Sequence, residues 1–205
     1  LAANTPSIGT GAWSVVSGPS TSNAQFSNAG TANATFTPAG GAGVYTLRWT
    51  TSNAPCATST DDVVLTFMAP PTPANAGADQ TLCVTAPATL AANAPSIGTG
   101  AWSVVSGPST ANAQFSNVAA ANATFTPAGG AGTYTLRWTT SNSPCANSTD
   151  EVLITVNQTA TVDAGPATLT TCATTPVNLN GTIGGSASSA TWTTNGSGTF
   201  APNAN

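Results

Sequence analysis

Apolar and polar residues alternate most clearly around two tryptophans. Tyr134, Leu136 and Trp138 fall on one face of 133–141, and Thr135, Arg137 and Thr139 on the other. A period of two is that of a half-buried strand. Tyr45, Leu47 and Trp49 alternate in the same way with Thr46 and Arg48. Around these segments, short runs rich in Val, Thr and aromatic residues are divided by clusters of Gly, Pro, Asn and Ser. Strands at regular short spacing with turn residues between them predict a sandwich or barrel. Between 70 and 158 the pattern predicts seven strands, at about 79–84, 88–94, 100–106, 113–117, 122–127, 133–141 and 149–156. Trp102 lies on the third of these, where sandwiches commonly bury a tryptophan. Trp13, Tyr45, Leu47, Trp49, Trp102, Tyr134, Leu136 and Trp138 are the expected core.

The chain repeats itself. Residues 11–21 and 100–110 both read GAWSVVSGPST, an offset of 89, and 1–67 differs from 90–156 at 12 of 67 aligned positions. A third, diverged copy follows: Cys172 aligns with Cys83 at the same offset, and Trp192 with Trp102 after a one-residue insertion. Proline-rich 68–77 and polar 157–165 are the expected linkers. The expected domains are therefore 1–69, a repeat lacking its first strand; 70–158, a complete repeat; and 159–205, the N-terminal part of a third. Natural sequence is expected beyond both ends.

Composition narrows the function. Charged residues make up 4 % of the chain, with two Arg, no Lys, no His, six acidic residues and a net charge of −4. Soluble domains average about 25 % charged residues. No apolar run approaches the ~18 residues of a spanning helix. Without a basic patch to neutralise phosphates, nucleic acid is not an expected partner. Ala, Thr, Ser, Asn, Gly and Pro dominate, so an all-β chain soluble through hydroxyl and amide groups is expected.

The tryptophan in GAWSVV, then ATFTPAGGAGTYTLRWT, then a cysteine in the following loop and STDEVLITV resembles one repeat type. It is that of the immunoglobulin-like and PKD-like repeats of very large secreted Bacteroidota proteins. Gliding-motility adhesins and surface proteins exported by the type IX system are among them. The resemblance covers essentially the whole chain. It implies tandem immunoglobulin-like β-sandwiches joined end to end, at an extracellular or cell-surface location. The chain has WSVVSG where the better-known PKD pattern has W-D-F-G-D-G, so nothing about that acidic turn carries over.

Four cysteines in a chain of this composition suggest disulfides over metal, since no C-x-x-C and no His are present. Two pairings are open. One joins Cys56 to Cys83 and Cys145 to Cys172, each 27 residues apart. The other, favoured, joins Cys83 to Cys145 within one domain, because the first and last strands of a sandwich start at the same end and the loop 142–148 lies there too. The carboxylates are Asp61, Asp62, Asp79, Asp150, Glu151 and Asp163. Ca²⁺ wants six to eight oxygens, and each repeat offers about three carboxylates, apart in sequence. Solvation and charge pairing are therefore the favoured reading, with no metal and no cofactor. If Leu47 pairs with Val63 and Tyr45 with Leu65, every inward residue meets an inward residue. Arg48 then faces Asp62, and by the same rule Arg137 faces Glu151.

Without His there is no catalytic Ser–His pair, and neither G-x-S-x-G nor a phosphate loop occurs. An enzyme is not expected. The expected function is a structural stalk of a large extracellular adhesin, holding a binding tip away from the cell. One alternative is a subunit of a self-assembling filament or sheath, with other copies of itself as partners. Another is a carbohydrate-binding module that uses exposed tryptophans on surface glycans. Neighbouring repeats of the same chain are the expected partners in every case.

Overall fold

The computed structural model describes residues 1–173 and 175–200. The described residues are all-β. The first repeat contains β1 (Thr10–Ser17), β2 (Gly43–Ser52) and β3 (Ser59–Phe67). The second contains β4 (Gln80–Cys83), β5 (Ala88–Thr89), β6 (Thr99–Ser106), β7 (Thr124–Phe125), β8 (Gly132–Ser141) and β9 (Ser148–Asn157). In the third segment β10 (Thr161–Asp163) pairs antiparallel with β11 (Thr182–Gly184). By contact the chain forms two compact units. One is Leu1–Thr72 with Pro95–Thr99 and Thr140–Ser148; the other is Pro73–Ala94 with Gly100–Thr139 and the chain from Thr149 onward.

The second repeat has two sheets. One is four-stranded in the order β4-β9-β8-β6, and the other pairs β5 with β7. Their inner faces share one core of Leu90, Trp102, Phe115, Phe125, Tyr134, Leu136, Trp138, Val152, Ile154 and Val156. Alternation along β8 and β9 supplies most of it, because one face of each strand must leave water. Gly100 shapes the centre. A Cβ there would lie 2.1 Å from Trp138 Cζ2, so only glycine lets the indole lie flat over β6. The Trp102 and Trp138 ring centroids are then 5.1 Å apart.

Tyr134 closes one end of this core. Its hydroxyl donates to the Gly130 carbonyl at 3.1 Å and accepts from the Gly129 amide at 3.0 Å. A tyrosine near the start of a strand, bonded back to the loop before it, is the corner motif of immunoglobulin sandwiches. Tyr45 makes the same pair of bonds to Gly41 and Gly40. With its two sheets and this corner, the fold is an immunoglobulin-like β-sandwich. The first repeat has the order β1-β2-β3 and the matching core of Trp13, Phe26, Tyr45, Leu47 and Trp49.

One predicted strand is absent. Residues 113–117 form the end of a 3₁₀ turn, Asn112–Gln114, followed by a single bridge from Phe115 to Phe125. Gln114 causes this. Its side chain is buried, with Nε2 donating to the Ser109 and Ala111 carbonyls at 3.0 and 2.9 Å. Its Oε1 accepts from the Ala128 amide at 2.7 Å. The amide thereby fixes the turn by satisfying backbone groups of Ser109, Ala111 and Ala128.

Candidate functional site

The two cations lie on the outer face of the sheets. β2 pairs with β3 in the register Tyr45↔Leu65, Leu47↔Val63 and Arg48↔Asp62. Arg48 Nε donates to Asp62 Oδ1 at 2.7 Å and Nη2 to Oδ2 at 2.9 Å, a two-pronged pair. Arg137 Nε and Nη2 both donate to Glu151 Oε1, at 2.9 and 2.6 Å. Glutamate's extra methylene changes the approach while the charge partner stays. Both pairs are open to water, with side chains about 40 % exposed, so register matters more here than strength.

The hydrogen bond to Asp62, and then its charge, raise the Arg48 pKa. The hydrogen bond from Arg48 lowers that of Asp62; partial burial opposes this and the guanidinium charge adds to it. A carboxylate with a depressed folded-state pKa contributes stability that is fully present above its unfolded value, about 3.9. That contribution fades as acid protonates the folded carboxyl below that value. In an NMR titration the Asp62 midpoint should therefore move up in the Arg48→Gln variant. An unmoved midpoint would count against the pair in solution.

Three of the other carboxylates bind backbone. Asp150 Oδ2 accepts from the Ala76 amide at 2.8 Å, and Asp79 Oδ1 from the Leu153 amide at 2.9 Å. Together they clasp the segment leading into β4 against β9. Asp163 accepts from Gly165 at 2.8 Å. Among the described residues no three His, Cys, Asp or Glu side chains gather where they could hold a metal ion. The clasp was missed in the sequence, where an aspartate ahead of a strand looks like any solvated turn residue.

The cysteines require a correction. Cys56, Cys83, Cys145 and Cys172 are all free thiols, so neither Cys83–Cys145 nor the 27-residue scheme is formed. β4 does run parallel to β9, but Cys83 ends it and pairs with Asn157, the last residue of β9. Cys145 lies in the loop before Ser148, the first residue of β9. A ten-residue strand, roughly 30 Å, therefore separates the two ends. The shared starting end was the right premise, applied to a cysteine at the other end. Cys145 Sγ lies 3.4 Å from both the Met68 and Ala69 carbonyl oxygens, in one compact unit with them.

Four of the five tryptophans are core residues. Trp13, Trp49, Trp102 and Trp138 are at most 5 % exposed, and Trp192 is half-buried. Trp138 Nε1 donates to the Asn93 carbonyl at 3.2 Å. Asn93 is itself fastened to Pro73 and Asn75. The equivalent Trp49 Nε1 is buried without a partner among the described residues.

A family model described as "K319L-like, PKD domain" matches residues 76–156, the second repeat. No curated protein matches the chain. Among solved structures, mouse cadherin-23 EC22-24 is similar at 9 % identity and a TM-score of 0.36, over 76 % of this chain and 57 % of that one. Human CDH23 EC21-23 matches at 11 % and 0.42, over 91 % and 79 %. The insect immune protein hemolin matches at 16 % and 0.38, over 73 % and 40 %. The chain thus spans little more than half of the mouse cadherin-23 fragment and two fifths of hemolin. With TM-scores below 0.5, these likenesses decide nothing about this chain. Among the described residues no helix is long and apolar enough to cross a membrane.

Proposed function

We propose that this chain is a structural stretch of a large extracellular adhesin, in which immunoglobulin-like, PKD-like repeats form a stalk that spaces a binding tip from the cell. The proposed domains are 1–69, 70–158 and 159–205, and the proposed setting is a Bacteroidota surface protein of the type IX secreted kind. One observation carries the reading. Neighbouring repeats differ at only 12 of 67 positions, and they keep the same aromatic core, the same tyrosine corner and the same charge pair. A spacer needs repeated length, whereas a binding or catalytic module needs one distinctive site. The low charge also suits a sheath of small hydroxyl and amide groups. The role is non-catalytic.

Small-angle scattering on chains of two, four and six repeats tests this. A monomer whose maximum dimension grows by about 40 Å per repeat is expected, from strands of about 25 Å plus loops and linker. Concentration-dependent assembly would instead favour the filament. Specific binding on a glycan array would favour the carbohydrate-binding module.

A further inference from the structure

Cys83 and Cys145 of the second repeat lie against backbone positions one repeat period apart, Asn157 and Met68. In the second repeat Cys83 pairs with Asn157 in parallel register, and the next amide, that of Val84, donates to the Asn157 carbonyl at 2.8 Å. The position one period before Asn157 is Met68. The Met68 carbonyl is already in contact with the Cys145 thiol, at 3.4 Å. A first strand laid along β3 as β4 lies along β9 would end in a cysteine opposite Met68. Its following amide would reach the same carbonyl oxygen that Cys145 Sγ touches. The two Cα atoms would then fall within the few ångströms that a disulfide spans.

Two further observations fit such a strand. The aspartate clasp at Asp150 has its equivalent in Asp61, which is exposed. The indole N–H of Trp49 is buried without a partner among the described residues, while that of Trp138 is satisfied through a residue held by 73–75. Both are the marks of a repeat whose β3 edge is built to take a segment like 73–83.

We infer that Cys145 is one half of a disulfide joining consecutive repeats, its partner being the cysteine that ends the first strand of the repeat before it. By the same rule, Cys83 pairs with the loop cysteine of the repeat after it. Two thiols give up two protons and two electrons to form the bond, and a disulfide oxidant such as oxidised glutathione accepts them, leaving two reduced thiols. An extracellular setting favours the reaction. The inference rests on the tandem-array reading but not on the stalk function, since the test supplies the neighbouring strand itself.

The test is the full chain with a copy of residues 70–89 placed ahead of Leu1, which restores the spacing found before Leu90. This chain has five cysteines. After incubation with oxidised glutathione, non-reducing peptide mapping should show the added cysteine linked to Cys145. Free thiols should fall from five to three, with Cys56, Cys83 and Cys172 still alkylated. The Cys145→Ser variant should leave the added thiol free. A link to Cys56 would mean closure within a repeat and would overturn the inference; so would five thiols still free. If the extended chain does not fold, the unextended chain with a synthetic peptide of residues 70–89 decides the matter. There, cross-linking at Cys145 is expected, and its absence overturns the inference. Scattering on chains of two, four and six repeats reads the stalk separately.

Discussion

Trp102→Ala is expected to cost the second repeat about 3–5 kcal/mol, the range for removing a buried Trp or Phe ring. Trp102 is 2 % exposed, stacks on Phe115 at 6.1 Å and packs at a tilt against Trp138 at 5.1 Å. Its Nε1 also donates to the Ala120 carbonyl at 3.1 Å. The loss therefore has two parts. A cavity opens between the β6 and β8 side chains, and a carbonyl that tied the 117–120 turn to the core loses its donor. The cavity cannot close easily. Gly100 offers no side chain to fill it, and the Trp138 ring is held on its other edge by the bond to Asn93. Urea titration followed by the NMR signals of the second repeat would measure the change. Following signals residue by residue avoids treating a chain of several domains as two-state. A loss under 1 kcal/mol would mean that the Trp102 site relaxes freely. Trp102→Phe should recover about half of the stability, since it keeps the stacking and loses the hydrogen bond.

Legibility in the sequence followed the physics of each element. The long strands β2, β3, β8 and β9 were readable because each buries one face, and their alternation forces the register that brings Arg48 to Asp62. The repeat could be seen without any structure, since 12 differences in 67 leave little room for another alignment. What could not be read was set by polar groups acting at a distance. The segment 68–77 looks like a proline-rich linker, yet Thr72 accepts the Thr140 hydroxyl at 2.6 Å and Ala76 is clasped by Asp150. These partners are 68 and 74 residues away, so no local pattern announces them. Cys83 was misplaced for a related reason. Strand direction followed from the fold class, but which end of a four-residue strand meets which loop depends on where that clasp starts the pairing.

Gln114 shows how far one such polar group can reach. Replacing it with leucine is expected to cost about 2–3 kcal/mol despite the gain in apolar volume. The Ala128 amide and the Ser109 and Ala111 carbonyls would all lose their partner in a part-buried site, at about 1–3 kcal/mol for a polar group left unsatisfied and less where water can enter. The informative variant is Gln114→Glu. An ionised carboxylate still accepts from Ala128 but would face the two carbonyls with no proton to donate. Burial and those carbonyls should therefore raise its folded-state pKa above the unfolded value of about 4.3. A raised carboxyl pKa means that the protonated form is favoured on folding. The variant should thus be closest to wild type below the unfolded pKa and lose stability as pH rises through the folded one. Urea midpoints measured at pH 4 and pH 7 should show a larger deficit at pH 7. The same substitution at Gln25 should behave alike, because Gln25 makes the matching bonds to Ser20, Ser22 and Ala39. A deficit independent of pH would place the side chain in water and remove Gln114 as the reason that 113–117 turns instead of forming a strand.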